Sequence, residues 1–399
     1  MLRKTISKIN QLDPNLKYFL IAVLFLGINN GILSTTFNNY IEDIFSLTAD
    51  KRGFLEIPRE LPGFILVIVT GMIASFSMRF WAVAVGLLSA MGVMGLAFLS
   101  PSVSVMLIWM VMWSMADHLF MPIENTMGLH LAKDGKHGKR LGQLSGIRNL
   151  AMILGAFIVW IIASFTHLAD SGLLYKCFYV IAAVTALISS FFFYKIRLDH
   201  ERHEEKKRFV FNRKYSLYYI LNMIFGARKQ IFLTFAPLLL IKYYGAKPGT
   251  MAVLILIAST LGFVFRQYFG IITDRFGEKK MFIGDAVILL CICLGFALVE
   301  NVYFLYAFYI LDNLMFSTKI ARTTYLNKIA LKKADIAPTI SLGISLDHAV
   351  SMTIPAVGGI IWNIFGYSNL FLFAAVLAVF SLVAALFVKY EKKGSLSAG

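Results

Sequence analysis

Glu56, Arg59 and Glu60 stand at i, i+3 and i+4, a spacing that sets two carboxylates and a guanidinium on one helix face. Asp117 and Glu124 are two helical turns apart, as are Asp312 and Lys319, and Arg322 follows Lys319 by one turn. Asn30, Arg148, the adjacent Arg228 and Lys229, Arg266 and Asp347 extend the set of polar residues that interrupt otherwise apolar sequence. Three kinds of chemistry follow from these types. A carboxylate in a partly dry site takes and releases a proton near neutral pH. A guanidinium or ammonium holds an anion, and acids paired with bases tie helices together. No P-loop, dinucleotide fingerprint, nucleophile constellation or metal-ligand spacing stands beside them. Cys177, Cys291 and Cys293 give no disulfide framework. The chain is therefore expected not to be an enzyme and to carry neither cofactor nor metal.

The elements that must position these groups are membrane spans. Of 399 residues, 58% are hydrophobic and 15% charged, and Phe alone occurs 35 times, a composition that points to a membrane protein. Apolar runs over 80–99, 173–194, 281–299 and 370–388 each match the roughly 20 residues an α-helix needs to cross hydrocarbon. They are continuous rather than alternating, so helices are expected instead of barrel strands. The pattern predicts an all-α membrane protein with about twelve spans, at 16–45, 52–75, 79–99, 103–132, 138–167, 173–195, 214–244, 248–272, 278–299, 302–330, 335–365 and 368–389. MLRKTISK is basic, and the long apolar stretch after it reads as an uncleaved first span.

A net charge of +16 suggests nucleic acid, but its placement argues otherwise. About 26 of the 38 Lys and Arg residues fall in alternate segments and about five in the opposite loops, among them Lys51 and Arg52. This asymmetry places both termini in the cytoplasm and excludes a nucleic-acid partner. The remaining seven bases lie inside spans: Arg59, Arg148, Arg228, Lys229, Arg266, Lys319 and Arg322. With Glu56, Glu60, Asp117, Glu124, Asp312 and Asp347 they make about thirteen charges at membrane depth. Each costs about 2.5–3.5 kcal/mol at a span centre, or roughly 30–45 kcal/mol if all faced lipid. They are expected to face a wet cleft or one another. Asp285, near the start of its span, is expected to reach the interface.

The chain reads as two related halves: a bundle over 1–195, a charged cytoplasmic linker over 196–213 and a second bundle over 214–399. GFILVIVTGMI from Gly63 matches GFVFRQYFGII from Gly262, 199 residues later, and ADHL around Asp117 matches LDNL around Asp312, 195 residues later. Both matches fall at corresponding places, which favours internal duplication. GIITDRFGEKK, Gly270 to Lys280, then resembles the Gly-x-x-x-Asp-Arg-x-Gly-x-Lys/Arg-Lys/Arg loop of the major facilitator superfamily. The equivalent N-terminal loop departs from that pattern, with Ser75 and Phe76 in place of Asp and Arg.

The resemblance implies two pseudo-symmetric six-helix bundles, alternating access, and a charge relay through Asp274 and Arg275 that latches neighbouring helices. It also implies a cavity lined by spans 1, 2, 4, 5, 7, 8, 10 and 11, which include every span that carries a central charge. On this reading Asp117, Glu124 and Glu60 are candidates for proton coupling. Arg228, Lys229, Arg266, Lys319, Arg322, Asn30 and Arg148 are candidates for substrate binding, and Asp312, Asp347, Glu56 and Arg59 for gating. Of Arg228 and Lys229, about 100° apart on a helix, one is expected to point inward. The expected function is proton-coupled transport of a small organic anion or zwitterion. The protein is expected to be a functional monomer in a bilayer, the bacterial cytoplasmic membrane. Alternatives are a multidrug or amphiphile efflux pump of the same fold, a lipid translocator, a sensor and an intramembrane enzyme.

Overall fold

The computed structural model describes residues 13–73, 77–132, 137–165, 171–197 and 211–389, except the side chains of 66–73, 137–139, 171, 266 and 267. The expected Ser75 and Phe76 and most of the 196–213 linker lie outside the described residues, as does the side chain of Arg266. Everything regular among the described residues is helical. In chain order the α-helices are α1 (Pro14–Phe45), α2 (Ala49–Phe54), α3 (Glu56–Ile73), α4 (Met78–Phe98), α5 (Val103–His130), α6 (His137–Phe165), α7 (Ser171–Lys195), α8 (Ser216–Lys242), α9 (Pro248–Phe276), α10 (Glu278–Leu298), α11 (Val302–Met315), α12 (Lys319–Ile329), α13 (Ile336–Phe365) and α14 (Tyr367–Leu386). Starts follow local chemistry. Asp13, Ser77 and Asn301 accept from the backbone N–H of Leu16, Phe80 and Tyr303, and Pro14 occupies the first turn of α1. Gly277 (φ 82°) and Gly366 (φ 87°) are one-residue joints, α9 to α10 and α13 to α14, in a backbone region that favours glycine.

Ten helices among the described residues are long and apolar enough to span a membrane. The two expected spans outside that set have physical reasons. α3 carries Glu56, Arg59 and Glu60 in its first two turns. The stretch expected as one span over 302–330 is broken by a 3-10 turn, Phe316–Thr318, between α11 and α12. That turn changes the helical register, so the two-turn spacing of Asp312 and Lys319 no longer sets them on one face.

The chain divides into two compact units. The first comprises Met1–Ser46, Ile68–Glu205 and Gly245–Thr260. Within it α1 packs on α6 and α7, and α4 packs on α5 and α7. A Cβ on Gly31 would lie 3.1 Å from the Cα of Gly155, the close backbone approach that small residues permit between membrane helices. Asn29, fully buried, donates to the carbonyl of Ala182 and accepts from Ser89, so its amide is satisfied across three helices.

The second unit comprises Leu47–Val67, Lys206–Tyr244 and Leu261–Gly399. Here α8 packs on α13 and α14, α10 packs on α11 and α14, and α2 packs on α13. A detail of packing recurs in both units. Gly95 of α4 receives Trp109 of α5, and 200 residues later Gly295 of α10 receives Phe308 of α11. An added Cβ would meet the rings at 2.0 Å and 2.2 Å.

Candidate functional site

Three consecutive residues of α8, Arg228, Lys229 and Gln230, each reach carboxylates on different elements of the second unit. Successive helical residues point about 100° apart, so the three cover much of the helix circumference. Arg228 Nη1 binds Asp285 Oδ1 on α10 at 3.0 Å, and its Nη2 binds Asp312 Oδ1 on α11 at 3.3 Å. Lys229 Nζ binds Asp347 Oδ2 on α13 at 2.7 Å. Gln230 Nε2 donates to Glu56 Oε2 on α3 at 2.6 Å. Both bases of the Arg228–Lys229 pair are thus engaged, on different helices.

Glu56 is fully buried and also accepts from Arg52 and Arg59. Arg59 Nη2 reaches Glu60 Oε1 at 3.1 Å, and His348 Nδ1 of α13 donates to Glu60 Oε2 at 2.9 Å. An ion buried alone costs several kcal/mol, and this chain of alternating signs is what offsets that cost. The opening of α3 keeps its charges by pairing them inside the second unit.

Arg322, on α12, is buried and differs from the other bases. Its Cζ lies 3.5 Å from the centre of the Phe225 ring, while its Nε is buried with no hydrogen-bond partner among the described residues. It lines a cavity of about 20 Å³ with Arg228, Asp285, Phe225, Phe282 and Leu221. Asp285 also lines a second cavity, of about 290 Å³, with Thr318, Lys280, Phe276 and Met315, and Thr318 Oγ1 donates to Asp285 at 3.2 Å. Asp285 is therefore a partly buried member of this ion-pair network. A carboxylate pair shared by one guanidinium, beside a second guanidinium with a donor to spare, can accept a proton and hold an anion.

The remaining sequence candidates are more dispersed. In the first unit, Glu124 is buried and its Oε2 meets Arg148 Nη1 at 3.1 Å, the Arg148 side chain being half exposed. Asp117 is half-buried beside His118, whose Nδ1 contacts the Ser114 carbonyl at 2.8 Å. Asn30 is half-buried on α1. In the second unit Lys319 is exposed although Arg322 is buried, so the pair does not share an environment. Asp274 and Arg275 are exposed at the end of α9, Arg275 lying over the Phe276 ring at 5.4 Å. Sequence reasoning missed Arg52, Gln230 and Asp285. Arg52 precedes Glu56 by four residues, a readable helical pairing, and Asp285 is a lone charge in an apolar run. Gln230 had no signal beyond its neighbours.

With only helices as regular structure and ten apolar helices of spanning length among the described residues, the protein is an integral multi-pass membrane protein. The pattern of the Major Facilitator Superfamily matches residues 19–335 and 219–398, and the chain belongs to that family. No curated protein matches it by sequence. Among solved structures it is similar to a variant of the nucleoside transporter NupG, with TM-score 0.78 and 13% identity over 94% of this chain and 100% of that one. It is also similar to a D-xylose-proton symporter, with TM-score 0.69 and 14% identity over 93% and 95%. A POT family transporter in complex with a thioalcohol-conjugated peptide gives TM-score 0.72 and 10% identity over 94% and 95%.

Proposed function

We propose that this protein is a secondary active transporter that moves a small anionic or zwitterionic organic solute by alternating access, coupled to protons. Residues 1–195 and 214–399 would be its two six-helix repeats. The observation that carries the reading is the sharing of one guanidinium, Arg228, between two carboxylates on different helices, Asp285 and Asp312. Two acids on one base form a group that a proton can enter without leaving a bare buried charge. Family membership supports transport, and a similar fold serves a protein described as a proton symporter.

Purified protein in sealed vesicles, with a pH dye inside, tests the reading. Under an inward proton gradient, a panel of monocarboxylates, amino acids, dipeptides and nucleosides is added in turn. Coupled transport gives solute-dependent acidification of the interior. If every solute accumulates without acidification, proton coupling fails, and if labelled lipid moves instead of solute, the translocator reading replaces it.

A further inference from the structure

We infer that the small cavity beside Arg322 is a subsite for one monoanionic head group, a carboxylate, and that filling it obliges one proton to bind on the Asp285–Asp312 pair. The inference deepens the transporter reading and rests on it. Its first observation is the arginine itself. Arg322 makes no ion pair among the described residues, its guanidinium lies over the Phe225 ring, and its buried Nε has no acceptor among the described residues. A buried guanidinium N–H without an acceptor costs about 1–3 kcal/mol. The second observation is the space. The adjoining cavity of about 20 Å³ exceeds the roughly 10–15 Å³ that a single water-sized group occupies. It admits the head of a ligand rather than a whole solute.

Charge balance supplies the coupling. The groups around Arg322 are Arg228 and Tyr218 from α8, Asp285 from α10, Asp312 from α11 and Asp347 from α13, with Lys229 on Asp347. Lys229 and Asp347 neutralise each other, Tyr218 is uncharged, and Arg228 and Arg322 balance Asp285 and Asp312. Lys280, which shares the second cavity with Asp285, is exposed and screened by solvent, so the buried groups of the empty site sum to zero. A carboxylate at Arg322 brings it to one net negative charge, and a proton on Asp285 or Asp312 restores neutrality. Anion and proton then enter together and leave together, and the step moves no net charge. The second cavity also touches Asp285, so this carboxylate borders both cavities.

Formate, the smallest carboxylate, is the probe, with formamide as its neutral counterpart, added to the purified full chain in detergent at constant ionic strength. Formate is expected to raise the melting temperature saturably, and formamide is not. Calorimetry in two buffers of different ionisation enthalpy is expected to find one proton taken up per formate. Arg322→Lys keeps the charge but loses the planar fork, and weakens formate binding roughly tenfold. Asp312→Asn leaves the empty site one charge positive, so formate binds without proton uptake. Equal formate stabilisation of wild type and Arg322→Lys, binding without proton uptake in wild type, or no formate effect would each overturn the subsite. If gradient-driven uptake in vesicles persists alongside any of these results, the transporter reading stands while the subsite falls.

Discussion

His348 Nδ1 and Glu60 Oε2 meet at 2.9 Å although 288 residues separate them in sequence. Next to this contact the backbones of α2 and α13 approach closely. A Cβ on Gly53 would lie 2.1 Å from the Pro355 carbonyl oxygen, and one on Gly359 would lie 2.4 Å from that of Ala49. Two glycines let α2 and α13 touch, and the hydrogen bond forms just beyond, at the start of α3. This is a packing arrangement first and a polar contact second.

Removing the imidazole should therefore cost stability. Glu60 is buried, Arg59 lies at its other oxygen, and the loss of the imidazole removes one of its hydrogen-bond donors. A hydrogen bond to a charged group contributes about 1.5–3 kcal/mol, and His348→Ala is expected to lose that much. Gly359→Val, which drives a larger side chain into backbone, should cost more than His348→Ala. Melting in detergent by intrinsic fluorescence orders the two variants, and a His348→Ala protein that melts with wild type would remove the bond from the account.

Arg228 offers a sharper test because it serves two acids. Arg228→Gln leaves Asp285 and Asp312 buried without their base, and breaking a buried pair in this way costs about 3–5 kcal/mol. Asp312→Asn in the same chain removes one of the stranded charges. The double variant is expected to be more stable than Arg228→Gln alone, with a coupling of about 1–3 kcal/mol in a double-mutant cycle. Additive losses would show that the two side chains do not depend on each other.

The repeated glycine–aromatic contact predicts paired behaviour in the two units. Gly295→Ala drives a methyl into the Phe308 ring and is expected to destabilise by about 1–3 kcal/mol, as overpacking does. Phe308→Leu in the same chain gives the methyl room and should recover part of the loss. Gly95→Ala against Trp109 should follow the same course, with less recovery because the indole also donates to the Leu99 carbonyl at 2.9 Å. Thermal melts of the single and double variants decide it.

Much of this architecture was legible because a bilayer constrains sequence strongly. A run such as 281–299 has few alternatives to a spanning helix, and the Gly270–Lys280 loop carried a family pattern. The sequence matches around Asp117 and Asp312 also pointed to a repeat, and α4 on α5 and α10 on α11 share a glycine–aromatic contact. Partner choice was not. Arg228 and Lys229 look alike in sequence, and only tertiary packing assigns one to α10 and α11 and the other to α13. The partners of Asp285 were not readable either, since Thr318 and Arg228 approach it from other elements. The 3-10 turn at Phe316–Thr318 has no proline or glycine to announce it, so helical spacing was carried through a break.

Asp117 and Glu124 share a face of α5 but differ in surroundings, so substitutions at the two are expected to differ in effect, and Asp117 is tested as a second station for the proton beside the Asp285–Asp312 pair. Glu124 is buried against Arg148, so Glu124→Gln strands a guanidinium that is half exposed and can turn to water. The expected result is a modest loss of stability with coupled transport retained. Asp117 is half-buried. Asp117→Asn is expected to abolish accumulation driven by a proton gradient while leaving exchange of labelled for unlabelled solute across the vesicle membrane, because exchange needs binding and conformational change but no net proton movement. Driven accumulation unchanged in Asp117→Asn would take Asp117 out of the coupling path. Loss of exchange together with driven uptake would place it instead among the residues that bind solute or hold the helix.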